Sequence, residues 1–246
     1  SKGLMRRPYL AAIENSAHES EQNRYVLLYK DKKPVGAAIF NIVVFTGADY
    51  RSPKDATKPL QKLKNTLREK AKLRVLVCGH THLSGNHGFM YLPDITPEEA
   101  YHGLADACYQ IRRAEKLRGS INLQLIKDFY EDEFAASKHL SVFKYRKFMV
   151  DPNMIVTIRP EWETFDDYLK AMNKKYKKKA ISTIKKGAAL ERRSLTAEEI
   201  ASSLEIIQTL YLNVANKAKV RINHFDATYL LQLKLSMQED FELIGY

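Results

Sequence analysis

The sequence predicts an α/β protein of the α+β kind: a mixed central sheet flanked by helices, followed by a mainly helical segment that leads into another strand. Three observations predict it. Helix-like and strand-like patterns alternate through the first 160 residues. Two apolar runs in that stretch are joined by Asp31-Lys32-Lys33, a hairpin signal. After Pro160 the pattern changes, and helical stretches with capping-box starts follow one another before an alternating run at Phe241.

Taken in order, residues 9–13 predict a short helix, and residues 25–30 and 34–45 the two strands of the hairpin. Residues 47–59 are polar and interrupted by prolines, hence a loop. Leu60, Leu63, Leu67 and Ala71 recur at helical spacing, and residues 74–79 form a short apolar run suited to a buried strand. Thr96-Pro97-Glu98-Glu99 supplies an N-cap, a proline at the first helical position and a glutamate three residues after the cap, so a helix should run to about Leu117. Residues 122–129 predict a strand, 131–138 a short helix, and 141–150 and 154–158 two strands around Asp151-Pro152-Asn153. Beyond Pro160, Thr164-Phe165-Asp166-Asp167 opens a helix whose stripe is Phe165, Leu169, Met172, Tyr176, Ala180 and Ile184. Thr196-Ala197-Glu198-Glu199 opens the next, through Leu204, Ile207, Leu210, Tyr211 and Val214. A helix over residues 228–237 precedes the terminal strand. The change of character places a domain boundary near residue 160, giving domains 1–160 and 161–246. Trp162, the single tryptophan, sits at that boundary and is read as packing the two domains together. The opening Ser1-Lys2-Gly3 and the strand just beginning at the end predict a piece of a longer protein.

Composition narrows the function classes. The 246 residues carry 40 Lys+Arg against 29 Asp+Glu, a formal +11, and are 45% hydrophobic, enough to build a core. Two cysteines, Cys78 and Cys108, cannot make a disulfide framework, which with no signal peptide in view predicts a cytoplasmic protein. The longest apolar stretch, residues 35–45, is far short of the roughly 20 residues of a membrane span. The charge is concentrated. Residues 168–193 hold Lys170, Lys174, Lys175, Lys177, Lys178, Lys179, Lys185, Lys186, Arg192 and Arg193 against Glu191 alone, so ten minus one leaves +9, and the rest of the chain sums to +2. With almost no acids to pair at helical spacing, the bland reading as a solvated face competes evenly with a polyanion-binding face. Within it, Lys170, Lys174, Lys175, Lys177, Lys178, Lys179, Arg192 and Arg193 are the candidate contacts. Sequence-specific DNA recognition is not expected: no zinc-finger, zipper or RNP pattern occurs, and lysine is a point charge rather than a bidentate reader of bases.

Cys78-Gly79-His80-Thr81-His82 and Gly85-Asn86-His87 look like metal-ligand strings of calcineurin-like metallophosphoesterases. The order of the two is reversed here, they lie three residues apart, and the upstream aspartate motifs are missing, so a two-metal site is excluded. His80, His82 and His87 could hold one zinc ion, set against a polar loop after a buried strand. The loop is the expectation, and no metal is expected. Glycine-rich phosphate loops and a Gly-x-Ser-x-Gly elbow are absent. Asp94, Glu98, Glu99 and Asp106 near one helix start are ordinary partners of the helix dipole.

Several strings together resemble one superfamily. Tyr25-Val26-Leu27-Leu28-Tyr29 with Lys33-Pro34-Val35-Gly36-Ala37-Ala38 is similar to the central hairpin of acyl-CoA N-acyltransferase (GNAT) domains, and Lys127-Asp128-Phe129 to the exit of a later strand. Glu161-Trp162-Glu163-Thr164-Phe165-Asp166-Asp167-Tyr168-Leu169, running into Asn173-Lys174-Lys175-Tyr176-Lys177-Lys178-Lys179, resembles the start of the second unit in tandem proteins related to the Fem-type peptidoglycan aminoacyltransferases, many of them bacterial. The resemblance implies a GNAT-like first domain and the N-terminal part of a second.

For function it implies an N-acyltransferase that moves an acyl group from acetyl-CoA or another acyl-CoA to an amine-bearing small molecule or peptide. The alternatives are a Fem-like transferase that takes its acyl group from aminoacyl-tRNA in cell-wall biosynthesis, and a non-catalytic module that binds a polyanion or a protein. Amine attack on an activated carbonyl would draw on positioning and an oxyanion-stabilising N–H. GNAT enzymes seat the CoA pyrophosphate on a glycine-patterned helix N-terminus. Residues 83–97 lack that pattern and end in Pro97-Glu98-Glu99, so the first unit is not expected to bind CoA in that way. Catalytic and cofactor-binding residues stay unassigned.

Overall fold

The computed structural model describes residues 3–16, 21–46, 72–85, 88–149, 154–217 and 226–246. The expected loop at 47–59, the helix through Leu60 and Ala71, and His87 lie outside these residues. The fold is mixed α/β, a central mixed sheet flanked by helices. By contacts the chain forms two compact units, residues 1–145 with 196–242, and residues 146–195 with 243–246. These units cut the chain at places other than residue 160.

In the first unit, β1 (Glu21–Lys30) and β2 (Lys33–Thr46) form the expected hairpin. Asp31 and Lys32 both take left-handed φ, 48° and 66°, the backbone of a tight two-residue turn that follows the strand twist. β3 (Lys72–Cys78) runs antiparallel to β2 and parallel to β5 (Leu123–Ile126), giving the order β1-β2-β3-β5. β4 (Phe89–Tyr91), a strand the sequence reading missed, also pairs with β2, at Gly36 to Ala38, just beyond the stretch taken by β3. Three residues are too few for an alternating pattern to show. β5 is shorter than the expected 122–129.

α1 (Arg7–Asn15) starts with Pro8 in its first turn. α2 (Pro97–Glu115) has both halves of the capping box: the Glu99 N–H donates to Thr96 Oγ1, and the Thr96 N–H donates to the Glu99 carboxylate. Its apolar stripe Ala100, Tyr101, Leu104, Ala107, Cys108 and Ile111 is buried against Ala38, Phe40, Ile42, Leu76, Cys78 and Phe89 of the sheet. α3 (Glu131–Phe134) leads into a 3₁₀ segment, Ala136–Phe143. Over residues 141–149, the described part of the strand expected at 141–150, no strand is formed. Leu140 is buried against the α2 core, Tyr145 packs on it, and Lys144 between them turns through φ 67°, so tertiary burial overrides the alternating pattern. Residues 154–158, the second expected strand, pair with nothing among the described residues, and their apolar side chains are exposed.

The helix expected from Thr196 is two: α6 (Ala197–Ser202), with its own capping box, and α7 (Leu204–Ala215), after a break at Ser203. α8 (Thr228–Met237) packs on α1, where Tyr9, Ala12, Ile13, Tyr229 and Leu233 make a second core.

The second unit holds α4 (Phe165–Ala171), α5 (Lys174–Gly187) and a two-residue ladder of β6 (Arg193–Ser194) with β7 (Ile244–Gly245). The terminal strand is thus shorter than expected from Phe241. The single helix expected from Thr164 to Ile184 is also two. Met172 is extended (ψ 145°), and Asn173 caps α5 by accepting from the Lys175 N–H. The predicted stripe is not a packed one: Leu169 is buried, while Phe165, Tyr176 and Ile184 are exposed. Trp162 lies within this unit, edge-on to Tyr168 at 5.1 Å and beneath the Arg159 guanidinium.

Candidate functional site

The histidine string lies on an excursion from the sheet. After β3 the chain leaves at Gly79 and returns at Gly88, both bonded to Ile39 of β2: the Gly79 N–H donates to the Ile39 carbonyl (3.1 Å), and the Ile39 N–H donates to the Gly88 carbonyl (2.7 Å). The two ends touch so closely that a Cβ on Gly88 would lie 2.3 Å from Gly79 Cα, while Gly79 has φ 127°. Only glycine satisfies both positions.

The excursion is fastened from the end of β5. Lys127 Nζ donates to the carbonyl oxygens of His80 (3.1 Å) and Leu83 (2.7 Å) and pairs with the Asp128 carboxylate. Asp128, held at left-handed φ 62°, accepts from the Gly85 N–H at 3.0 Å. An ammonium shared among two carbonyls and a carboxylate is a charge-assisted anchor. In the sequence these two residues carried only a family resemblance, and the signal for their role was the cluster Gly79, Gly85 and Gly88.

His80 and His82 face one aromatic cluster. His80 is buried and meets the Tyr9 ring edge-on at 4.9 Å, and the Tyr9 hydroxyl is 3.0 Å from that of Tyr229. His82 lies 5.1 Å from the Tyr229 ring, with its Nε2 3.4 Å from the carboxylate of Glu21, which is itself buried. Burial, reinforced by Tyr229, pushes the Tyr9 phenol well above its ordinary range, so it stays protonated. Burial raises the Tyr229 phenol too. Among the described residues no set of three His, Cys, Asp or Glu side chains is arranged to hold a metal ion. His80 meets Tyr9, and His82 meets Glu21 and Tyr229.

At the start of α2 the Thr96 hydroxyl takes up the Glu99 N–H, and the Ala100 N–H donates to the Thr96 carbonyl. Pro97 has no N–H, and the Glu99 carboxylate is drawn down to about 2 by Lys30 (2.7 Å) and by the Thr96 N–H and hydroxyl. The fixed carboxylate would repel phosphate.

Elsewhere in the same unit, Glu115, 2% exposed, joins two strands to α2. Its Oε1 accepts from Arg24 of β1 (2.6 Å) and its Oε2 from Arg74 of β3 (2.9 Å), while Arg118 stands 3.5 Å away. Burial alone would raise this carboxyl, but Arg24 and Arg74 outweigh it and hold it below its ordinary value. No local pattern reports this hub, since Arg24 and Glu115 alone lie 91 residues apart.

The polyanion candidates lie in the second unit. Lys174, Lys175, Lys178 and Lys179 are exposed on α5, Lys177 is half-buried there, and Lys170 pairs with Asp167 on α4. Arg192 and Arg193 follow on the chain into β6. Among the described residues the α5 lysines have no carboxylate within ion-pair distance.

No family model matches the sequence, and no curated protein matches it. The crystal structure of FemX is similar to this chain at 15% identity and a TM-score of 0.48, over 98% of this chain and 51% of that one. The chain therefore spans about half the length of that structure.

Proposed function

We propose that this chain belongs to a Fem-like transferase that joins an activated acyl group to an amine acceptor, with aminoacyl-tRNA rather than acyl-CoA as donor. The observation that carries the choice of donor is the start of α2: Pro97 has no N–H, the Thr96–Glu99 box takes up the Glu99 N–H, and Glu98 and the Lys30-paired Glu99 place two carboxylates where a pyrophosphate would sit. The strings at 25–38, 127–129 and 161–179, and a sheet that combines an antiparallel hairpin with a parallel β3–β5 pair, support the transferase part.

In this reading the protein holds the amine near the carbonyl and stabilises the oxyanion with backbone N–H groups, so the rate comes from positioning more than from a strong base. The division into a GNAT-like domain at 1–160 and the start of a second at 161–246 is part of the same proposal. The test is transfer by the full-length protein to a peptide amine, with aminoacyl-tRNA and acetyl-CoA offered separately. Product from aminoacyl-tRNA alone supports the reading, and product from acetyl-CoA alone rejects it.

A further inference from the structure

We propose that α5 is an interfacial helix that seats the protein on an anionic phospholipid surface. This does not depend on the transferase reading.

At 100° per residue, Lys174, Lys175, Lys178, Lys179, Lys185 and Lys186 fall within an arc of about 140°. All six are exposed; the opposite face carries Tyr176, Ala180 and Ile184, and Ile181 lies at the edge between the two. None of the fourteen residues of α5 is buried, and Tyr176, Ile181 and Ile184 are 59%, 37% and 49% exposed. A helix packed only on its own domain would cover that face, as α2 does.

The lysines also repel one another. Lys174 and Lys178, and Lys175 and Lys179, stand at i,i+4 with like charge, which weakens an isolated helix. A surface of opposite charge removes the penalty.

A phosphate-rich RNA would answer the charge but not the exposed isoleucines, and its bidentate recognition favours arginine, which α5 lacks. An anionic bilayer answers both. Clusters of four to eight lysines on an amphipathic helix bind acidic headgroups, while the apolar face enters the acyl boundary. Tyr176, with Lys175 above its ring, has the apolar body and polar tip suited to the headgroup level. Lys177, half-buried on the apolar side, has a stem long enough to lie on that face and carry its ammonium to the headgroups.

The test is co-sedimentation of the full-length protein with vesicles of equal parts phosphatidylglycerol and phosphatidylcholine, and with vesicles of phosphatidylcholine alone. Binding is expected to the mixed vesicles, at least about tenfold weaker to the neutral ones, and falling with salt. Each lysine is worth about a fivefold gain, so K174E/K175E/K178E/K179E should lose at least about a hundredfold. I181S/I184S should lose about tenfold at low salt. These side chains are outside any core, so circular dichroism should be unchanged. Equal binding to neutral vesicles, or full binding by the lysine variant, overturns the proposal. So does an intact I181S/I184S whose vesicle binding is displaced by tRNA, which would assign the lysines to RNA. Transfer to a water-soluble acceptor should survive I181S/I184S, so this proposal and the transferase reading fail separately.

Discussion

Lys127 donates its ammonium to the carbonyl oxygen of Leu83 at 2.7 Å, so one side chain at the exit of β5 fixes the shape of the excursion between β3 and β4. Lys127→Met keeps the stem and removes the charge, leaving the carbonyls of His80 and Leu83 and the Asp128 carboxylate without their shared cation. The expected cost is about 1–3 kcal/mol. Hydrogen exchange should accelerate over residues 80–85 and leave α2 protected. Uniform acceleration would mean that the anchor supports the whole sheet.

Gly88→Ala tests the pinch at the base of the same excursion. The added methyl would need the Gly79 backbone to retreat from 2.3 Å, and backbone cannot swing aside as a long side chain can. A loss of about 1–3 kcal/mol is expected. Gly187→Ala, where a Cβ would meet nothing within 4 Å, is the control and should be neutral or slightly stabilising, since alanine favours helix.

Glu115→Gln keeps the shape of the hub and removes the charge that Arg24 and Arg74 share. Breaking a buried pair from one side costs about 3 kcal/mol, the low end of the usual range, because both arginines retain some access to water. Chemical denaturation should show the loss in the midpoint with little change in slope. If the variant is as stable as the parent, the hub is dispensable.

Stability should also fall in acid through Glu99. Its folded value, about 2, lies below the ordinary value of 4.5, so its contribution is full above pH 4.5 and is lost as the pH falls toward 2. Glu99→Gln should flatten this part of the pH–stability profile and leave the profile above pH 5 parallel to that of the parent. An unchanged acid limb would mean that the Lys30 and Thr96 contacts do not persist in solution.

The elements legible in the sequence were those set by local chemistry. Thr96-Pro97-Glu98-Glu99 announces α2 because every part of a capping box is a near neighbour, and Asp31-Lys32 announces the hairpin for the same reason. The strand expected at 141–150 failed because Leu140 and Tyr145 bury against α2, a contact no local pattern reports. Likewise Met172 and Asn173 break a stripe that looked continuous, since an Asn cap can restart a helix in mid-pattern. In the candidate site, His80 and His82 have the residue type and spacing of ligands, yet their neighbours are Tyr9, Glu21 and Tyr229, up to 147 residues away in the chain, which spacing does not report. The concentration of lysines on α5 was legible in full, because charge needs no fold to be counted.

The central claim is the donor, and a single-turnover transfer assay tests it most directly. The full-length protein is given radiolabelled aminoacyl-tRNA or radiolabelled acetyl-CoA with a peptide amine in excess. The account predicts labelled peptide from the tRNA donor and none above background from acetyl-CoA. Labelled peptide from acetyl-CoA, with none from aminoacyl-tRNA, would contradict it.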